Sequence, residues 1–206
     1  FEHNSIILVN GFYKSSDIKF EEKEKVKIEK FNLSEEIIEH PNNNLYCLNK
    51  ALTIGGFKIE IKENYKCKKP IIIYNYFNSN LENKIINNSN KIKINKNSNL
   101  TLIEYNIDEN SKFIKNTFEN LELEDNSIFK SFTIQKTKSK GYFYKSILGS
   151  QGNNSSYHNF ILSSGLKFNK VDIEMNLIRE KSNCFILSGS YDIANSYPSG
   201  ISPFNL

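Results

Sequence analysis

An Asn/Ser pair returns at a nearly fixed interval through the second half of this chain. It sits at Asn97-Ser98, Asn126-Ser127 and Asn154-Ser155, then in reversed order at Ser182-Asn183. Positions 98, 127, 155 and 183 are 29, 28 and 28 residues apart. Each pair follows a short apolar or alternating run: Ile92-Lys93-Ile94, Leu121-Glu122-Leu123, Ile147-Leu148 and Met175 to Ile178. Each precedes another: Leu100 to Ile103, Ile128 to Ile134, Tyr157 to Leu162, and Phe185 to Leu187. A repeat of this length, made of strands and polar corners, is the signature of a stacked solenoid. Because the unit is β, the expected fold is all-β, a right-handed parallel β-helix, with each coil serving as the crossover to the next. Asparagine suits the corners because it tolerates positive φ and its amide bonds nearby backbone. The corners at Ser98, Ser127, Ser155 and Asn183 are expected to stack along one edge.

Composition narrows the class further. The 206 residues suit one domain with a sizeable core, and no apolar run approaches the length of a membrane-spanning helix. Asn, Lys and Ile are over-used and Trp is absent, a bias expected of an AT-rich genome. The net charge of +4 comes from lysines interleaved with glutamates, as in Glu21-Glu22-Lys23-Glu24-Lys25. That is a solvated charged face, and it lacks the one-signed stripe that nucleic acid requires. No basic-then-apolar leader opens the chain at Phe1, and the lack of an initiator Met suggests a piece of a longer or processed protein.

The chemistry-bearing residues are dispersed. Cys47, Cys67 and Cys184 form no metal-binding spacing and fit a reducing compartment. Cys67 stands among Lys66, Lys68 and Lys69, whose charge should favour its thiolate, so it is expected to be the most reactive thiol and Cys184 the least. His158 shares parity with Phe160 and Leu162 and is expected to point inward; His3 and His40 assemble no triad. There is no phosphate-binding glycine loop, no metalloprotease helix and no nucleophile elbow. The sequons at Asn87, Asn99, Asn153 and Asn154 follow from the asparagine excess alone. No catalytic residue, metal ligand or bound cofactor is assigned.

Along the chain, residues 1–33 read as loosely structured, with Ile6 to Val9 a short strand ending at the Asn10-Gly11 turn signal. Ser34 suits a helix cap and Pro41 breaks the chain. Leu45, Leu48, Ala51 and Leu52 predict an amphipathic helix over 45–53, stopped by Gly55-Gly56. The expected division is 1–56 as an N-terminal segment with that helix, 57–193 as the β-helix core, and 194–206 as an irregular tail.

The order of these features resembles the SufB/SufD family of iron–sulfur cluster assembly scaffolds. The resemblance rests on the helix followed by Ala51 to Ile61, on Lys69-Pro70-Ile71-Ile72-Ile73, on Asn97 to Glu104, on Gly165 to Leu177, and on Cys184 to Tyr191. It is closer to SufD, because the cysteine-containing TKRG-type signature of SufB is absent. Lys170 stands where the family usually has arginine, and Arg179 where glycine is common. The tail from Tyr197 to Leu206 is unlike the family, as in a truncated or frameshifted chain, so no ligand position is carried over. The resemblance implies a non-catalytic cytoplasmic scaffold, bacterial or in a plastid-type organelle. It would pair with a SufB-like β-helix protein and a SufC-like ABC ATPase that supplies the nucleotide chemistry, while the full complex handles the cluster transiently. The competing readings are a polysaccharide-binding or polysaccharide-cleaving β-helix and a purely structural solenoid. The first wants clustered carboxylates, and here the acids are scattered singly.

Overall fold

The computed structural model describes residues 1–32, 44–108, 111–136, 141–177 and 181–191. From residue 57 onward the chain alternates between two sheets, laying one strand in each per coil. The first sheet contains β5 (Ile71–Phe77), β7 (Asn99–Asp108), β9 (Ile128–Lys136), β11 (Ser156–Ser164) and β13 (Asn183–Tyr191). The second contains β4 (Phe57–Ile61), β6 (Ile85–Ile94), β8 (Ile114–Leu123), β10 (Tyr142–Gln151) and β12 (Phe168–Leu177). Neighbours within each sheet are two apart in chain order and parallel, which is a parallel β-helix, right-handed as such crossovers are.

Residues 1–32 are more ordered than their sequence suggests. β1 (Asn4–Val9) runs parallel to β5, and β2 (Phe12–Asp17) returns antiparallel to it. Asn10 and Gly11 join them with φ of 51° and 85°, the paired positive values of a tight hairpin turn. β3 (Val26–Lys30) lies antiparallel to β4, so both sheets end on antiparallel strands. The Glu21 carboxylate locks this cap in place. It accepts from Asn4 Nδ2 at 3.2 Å, Tyr65 Oη at 2.8 Å and Lys69 N at 2.8 Å.

The corners carry the repeat. Asn64, Asn97, Asn126 and Asn154 all have φ between 53° and 59°. Their amides form a ladder: Asn97 donates to Asn64 at 2.8 Å, Asn126 to Asn97 at 3.0 Å, and Asn154 to Asn126 at 2.9 Å. Lys181 takes the same backbone conformation one coil later, at φ 58°. The fourth corner therefore differs from the expectation. Asn183 pairs with Ser156, and the residue in register with Ser155 is Ser182, because the reversed pair shifts the corner back by one. Ser98, Ser127 and Ser155 are buried, with hydroxyls that donate to backbone carbonyls at 2.6 to 2.8 Å.

The interior is built from columns of equivalent residues. Ile59, Ile92 and Leu121 stack in one sheet, Leu100, Phe129 and Tyr157 in the other. The Phe129 and Tyr157 rings lie parallel at 5.5 Å. Not every aromatic points inward, however. Tyr74, Tyr105, Phe132 and Phe160 stand on the outer face of the first sheet.

Helix α1 (Asn44–Leu52) lies across the outer face of the second sheet, but with an unexpected side down. Tyr46 and Asn49 are buried, whereas Leu45, Leu48 and Leu52 are exposed. The bed is polar: Asn49 Nδ2 donates to the carbonyls of Asn88 at 2.9 Å and Asn116 at 2.8 Å, and the Tyr46 ring meets Phe118 at 4.5 Å. The glycines after the helix serve the strand rather than the helix end. Gly55 bridges Asn88, and Gly56, at φ 137°, passes so close to Ser89 that a Cβ would sit 1.8 Å from its carbonyl oxygen. Among the described residues no helix is long and apolar enough to cross a membrane.

Candidate functional site: a charged lumen

On β7, Leu100, Leu102, Glu104 and Asn106 share the inward parity. On β8, Lys115, Thr117 and Glu119 share it with Leu121 and Leu123, and on β10 Lys145 lies beside Thr117. Strand alternation thus drives two acids and two lysines into the lumen. Lys115 Nζ reaches Glu104 Oε1 at 2.8 Å, and Lys145 Nζ bridges Glu104 Oε2 at 3.1 Å to Glu119 Oε2 at 3.0 Å. Asn75 Nδ2 adds a bond to Glu104 at 2.9 Å, and Asn106 Oδ1 accepts from Lys115 at 2.9 Å. Glu104, Lys115 and Glu119 are 8%, 7% and 2% exposed, so these charges have left water almost completely.

Two opposing effects set their protonation. Burial alone raises the Glu104 carboxyl, but the Lys115 and Lys145 ammonium groups overcome it and hold the acid far below the usual carboxylate range. Burial lowers Lys115, and Glu104 only partly restores it, so its value ends below the ordinary one. For Lys145 burial also acts downward, but two carboxylates outweigh it and the value ends above the ordinary one. Two acidic and two basic side chains thus face one another in the lumen, so their formal charges balance. A cavity of about 20 Å³, lined by Thr117, Gln135 and Lys145 among others, has room for one water. Thr117 Oγ1 and Gln135 Nε2 have no protein partner, and a water there can serve both.

Chemically, this arrangement is fixed rather than reactive. Both oxygens of Glu104 face an ammonium, and neither lysine is held in the depressed, unpaired state that a nucleophile needs. Among the described residues no group of three His, Cys, Asp or Glu side chains is placed to hold a metal ion.

The residues singled out from sequence do not converge on the lumen network. Cys67 lies beside Leu100 and Cys184 beside Tyr157, so they stand at opposite ends of one column of inward side chains. Four strand steps of about 4.8 Å separate them, beyond any disulfide. Cys67 is not the activated thiol expected. Burial and then the nearby Glu21 carboxylate push it up to about 12, while Lys69 Nζ pairs outward with Glu2. Burial raises Cys184 as well, and Cys47 is the exposed thiol. His158 points outward: it is exposed, against the Phe185 ring at 6.2 Å, and Tyr157 and Asn159 take the inward positions. His3 bonds the Tyr74 hydroxyl at 3.1 Å. His40, Ser34, Pro41, Arg179 and the 194–206 tail lie outside the described residues.

Sequence reasoning missed Glu104, Lys115, Glu119 and Lys145. The available signal was parity, since each falls in step with neighbouring inward apolar residues. Residues 76–194, which run from the end of β5 through the last described coil, match the family model described as SUF system FeS cluster assembly, SufBD core domain. No curated protein matches the chain.

Proposed function

Because the chain belongs to the SufBD core-domain family of SUF-system iron–sulfur cluster assembly, we propose that it is a SufD-like, non-catalytic scaffold of that machinery. In this reading it pairs with a SufB-like β-helix protein and works with a SufC-like ATPase in the cytoplasm or a plastid-type organelle. The cluster is cargo of the whole complex. The observation that carries the proposal is the family match over the stacked coils. A lumen closed on itself by ion pairs supports a scaffold role, because it spends its charged groups on rigidity. The absence of the TKRG-type signature supports the SufD-like side of the family.

The test is reconstitution. The tagged chain, co-expressed with a SufB-like protein and a SufC-like ATPase, is expected to co-purify with the SufB-like protein at fixed stoichiometry. Alone it is expected to hydrolyse no ATP. ATP hydrolysis by the purified chain, or failure to bind the SufB-like protein while a known SufD binds in parallel, would refute the assignment.

A further inference from the structure

The leucine flank of α1 and the second sheet together form an apolar groove. Ile85, Ile114, Tyr142 and Phe168 lie side by side in register on the outer face of β6, β8, β10 and β12. Three of them are large and exposed: Ile85 at 50%, Ile114 at 40% and Phe168 at 47%. The helix runs from above β8, where the Leu45 carbonyl accepts from Asn116 Nδ2 at 3.0 Å, to above β6, where Thr53 meets Ser89 at 3.0 Å. Successive helix positions turn by about 100°, so Leu45, Leu48 and Leu52 share one flank, about a quarter-turn from the buried Tyr46 and Asn49. In a right-handed coil that flank faces the N-terminal ends of the strands, where the isoleucine ladder lies. Ile114 is two residues before Asn116 on the same face, so wall and floor adjoin.

The dimensions suit a helix. The ladder of four strands extends about 14 Å along the coil axis, and α1, about 13 Å long, crosses the strands in the same direction and walls the ladder at β6 and β8. A second helix laid on the ladder at the usual 8–10 Å from α1 would present two to three turns to it. The rim is basic. Lys84 precedes Ile85, Lys112 lies two residues before Ile114, and Lys167 precedes Phe168 with its Nζ 5.7 Å above the Tyr142 ring. All three are exposed, and Glu82 lies beside them, accepting from the Lys112 backbone.

We propose that this groove docks an amphipathic helix of a partner protein, with apolar residues at i, i+3 or i+4, and i+7 and acidic residues along one flank. The inference rests on the surface alone and stands or falls independently of the SufD-like assignment.

Two labelled peptides of roughly 18 residues, long enough for several turns, test it. Both carry the same leucine stripe; one has glutamates on the flank and the other lysines. Fluorescence anisotropy is expected to show saturable binding of the acidic peptide, weakened by salt, and at least roughly tenfold weaker binding of the basic one. Ile114→Asp and, separately, Leu48→Asp are each expected to weaken the acidic peptide at least roughly tenfold. The two sites are exposed and independent, so a folding defect in one leaves the other informative. Lys84→Glu combined with Lys112→Glu and Lys167→Glu is expected to reverse the preference. Equal binding of both peptides, no binding of either, or indifference to both aspartates would overturn the proposal. So would a dimer of this chain that Ile114→Asp dissociates, which would make a second copy the occupant.

Discussion

Glu104→Gln removes one charge from the lumen and leaves its partners in place. Lys145 keeps Glu119 at 3.0 Å, but Lys115 keeps as close neighbours Asn106 and the faces of the Phe77 and Phe143 rings, whose centroids are 5.3 and 5.5 Å from its Nζ. At 7% exposure Lys115 is cut off from bulk water. Breaking a buried pair in this way costs about 3–5 kcal/mol, a large share of a typical domain's stability of about 5–15 kcal/mol. Lys115→Met is milder, about 1–3 kcal/mol, because Glu104 retains Lys145 and Asn75. The double variant leaves Lys145 and Glu119 as a balanced pair. Its loss is expected to fall short of the sum of the single losses by at least about 1.5 kcal/mol. Urea unfolding followed by circular dichroism at neutral pH measures all three. If Glu104→Gln stays within about 1 kcal/mol of the parent, or the two losses simply add, the lumen network does not hold the coils together.

The same carboxylate sets an acid limb. Its folded value is depressed, so its contribution is fully present above the unfolded carboxyl range near about 4.3 and is lost as pH falls toward the folded value. Urea midpoints from about pH 6 down to pH 3 are expected to fall more steeply for the parent than for Glu104→Gln, and equal slopes would contradict this. Alkylation at neutral pH, read by mass spectrometry, is expected to label Cys47 first, with Cys67 and Cys184 slow until the chain unfolds; early labelling of Cys67 would show that its burial is wrong. At the corner, Asn126→Ala loses two ladder bonds and places a Cβ residue at φ 57°. A loss of about 2–3 kcal/mol is expected, of which Asn126→Gly should restore about 1 kcal/mol by relieving the backbone; an alanine variant as stable as the glycine one would refute the left-handed corner.

The fold was legible because it depends on a signal that survives local error. The corner repeat marks where every coil turns, and an asparagine that meets both the φ requirement and the ladder bond is hard to place elsewhere. Even the slip at Ser182-Asn183 moved one corner by a single residue without changing the number of coils. The helix over Asn44–Leu52 was equally visible, but not its orientation. Apolar spacing shows that a helix has two faces, and assigning the apolar one inward presumes an apolar bed. Here Asn88, Ser89 and Asn116 make that bed polar, so Asn49 is buried and the leucines are left outside.

The lumen was hidden by the loss of contrast between parities. In β7, Leu100 and Leu102 point inward, but Ile103 and Tyr105 are apolar on the outer face, so after Leu102 the alternation no longer says which side is core. In β11 the contrast is lost as well: the outer positions carry Phe160 and Leu162, while the inner Tyr157 and Ile161 alternate with Asn159 and Ser163. A reading that sends Phe160 and Leu162 inward therefore turns His158 the wrong way. The partners are unreadable for a further reason. Glu104 meets Lys145 from 41 residues away, across the gap between two sheets. Alternation fixes the direction of each side chain within its own sheet, whereas contact across the lumen depends on how the two sheets face one another. A solenoid with polar residues inside and apolar residues on an outer face is therefore recognised by its corners before its core can be read.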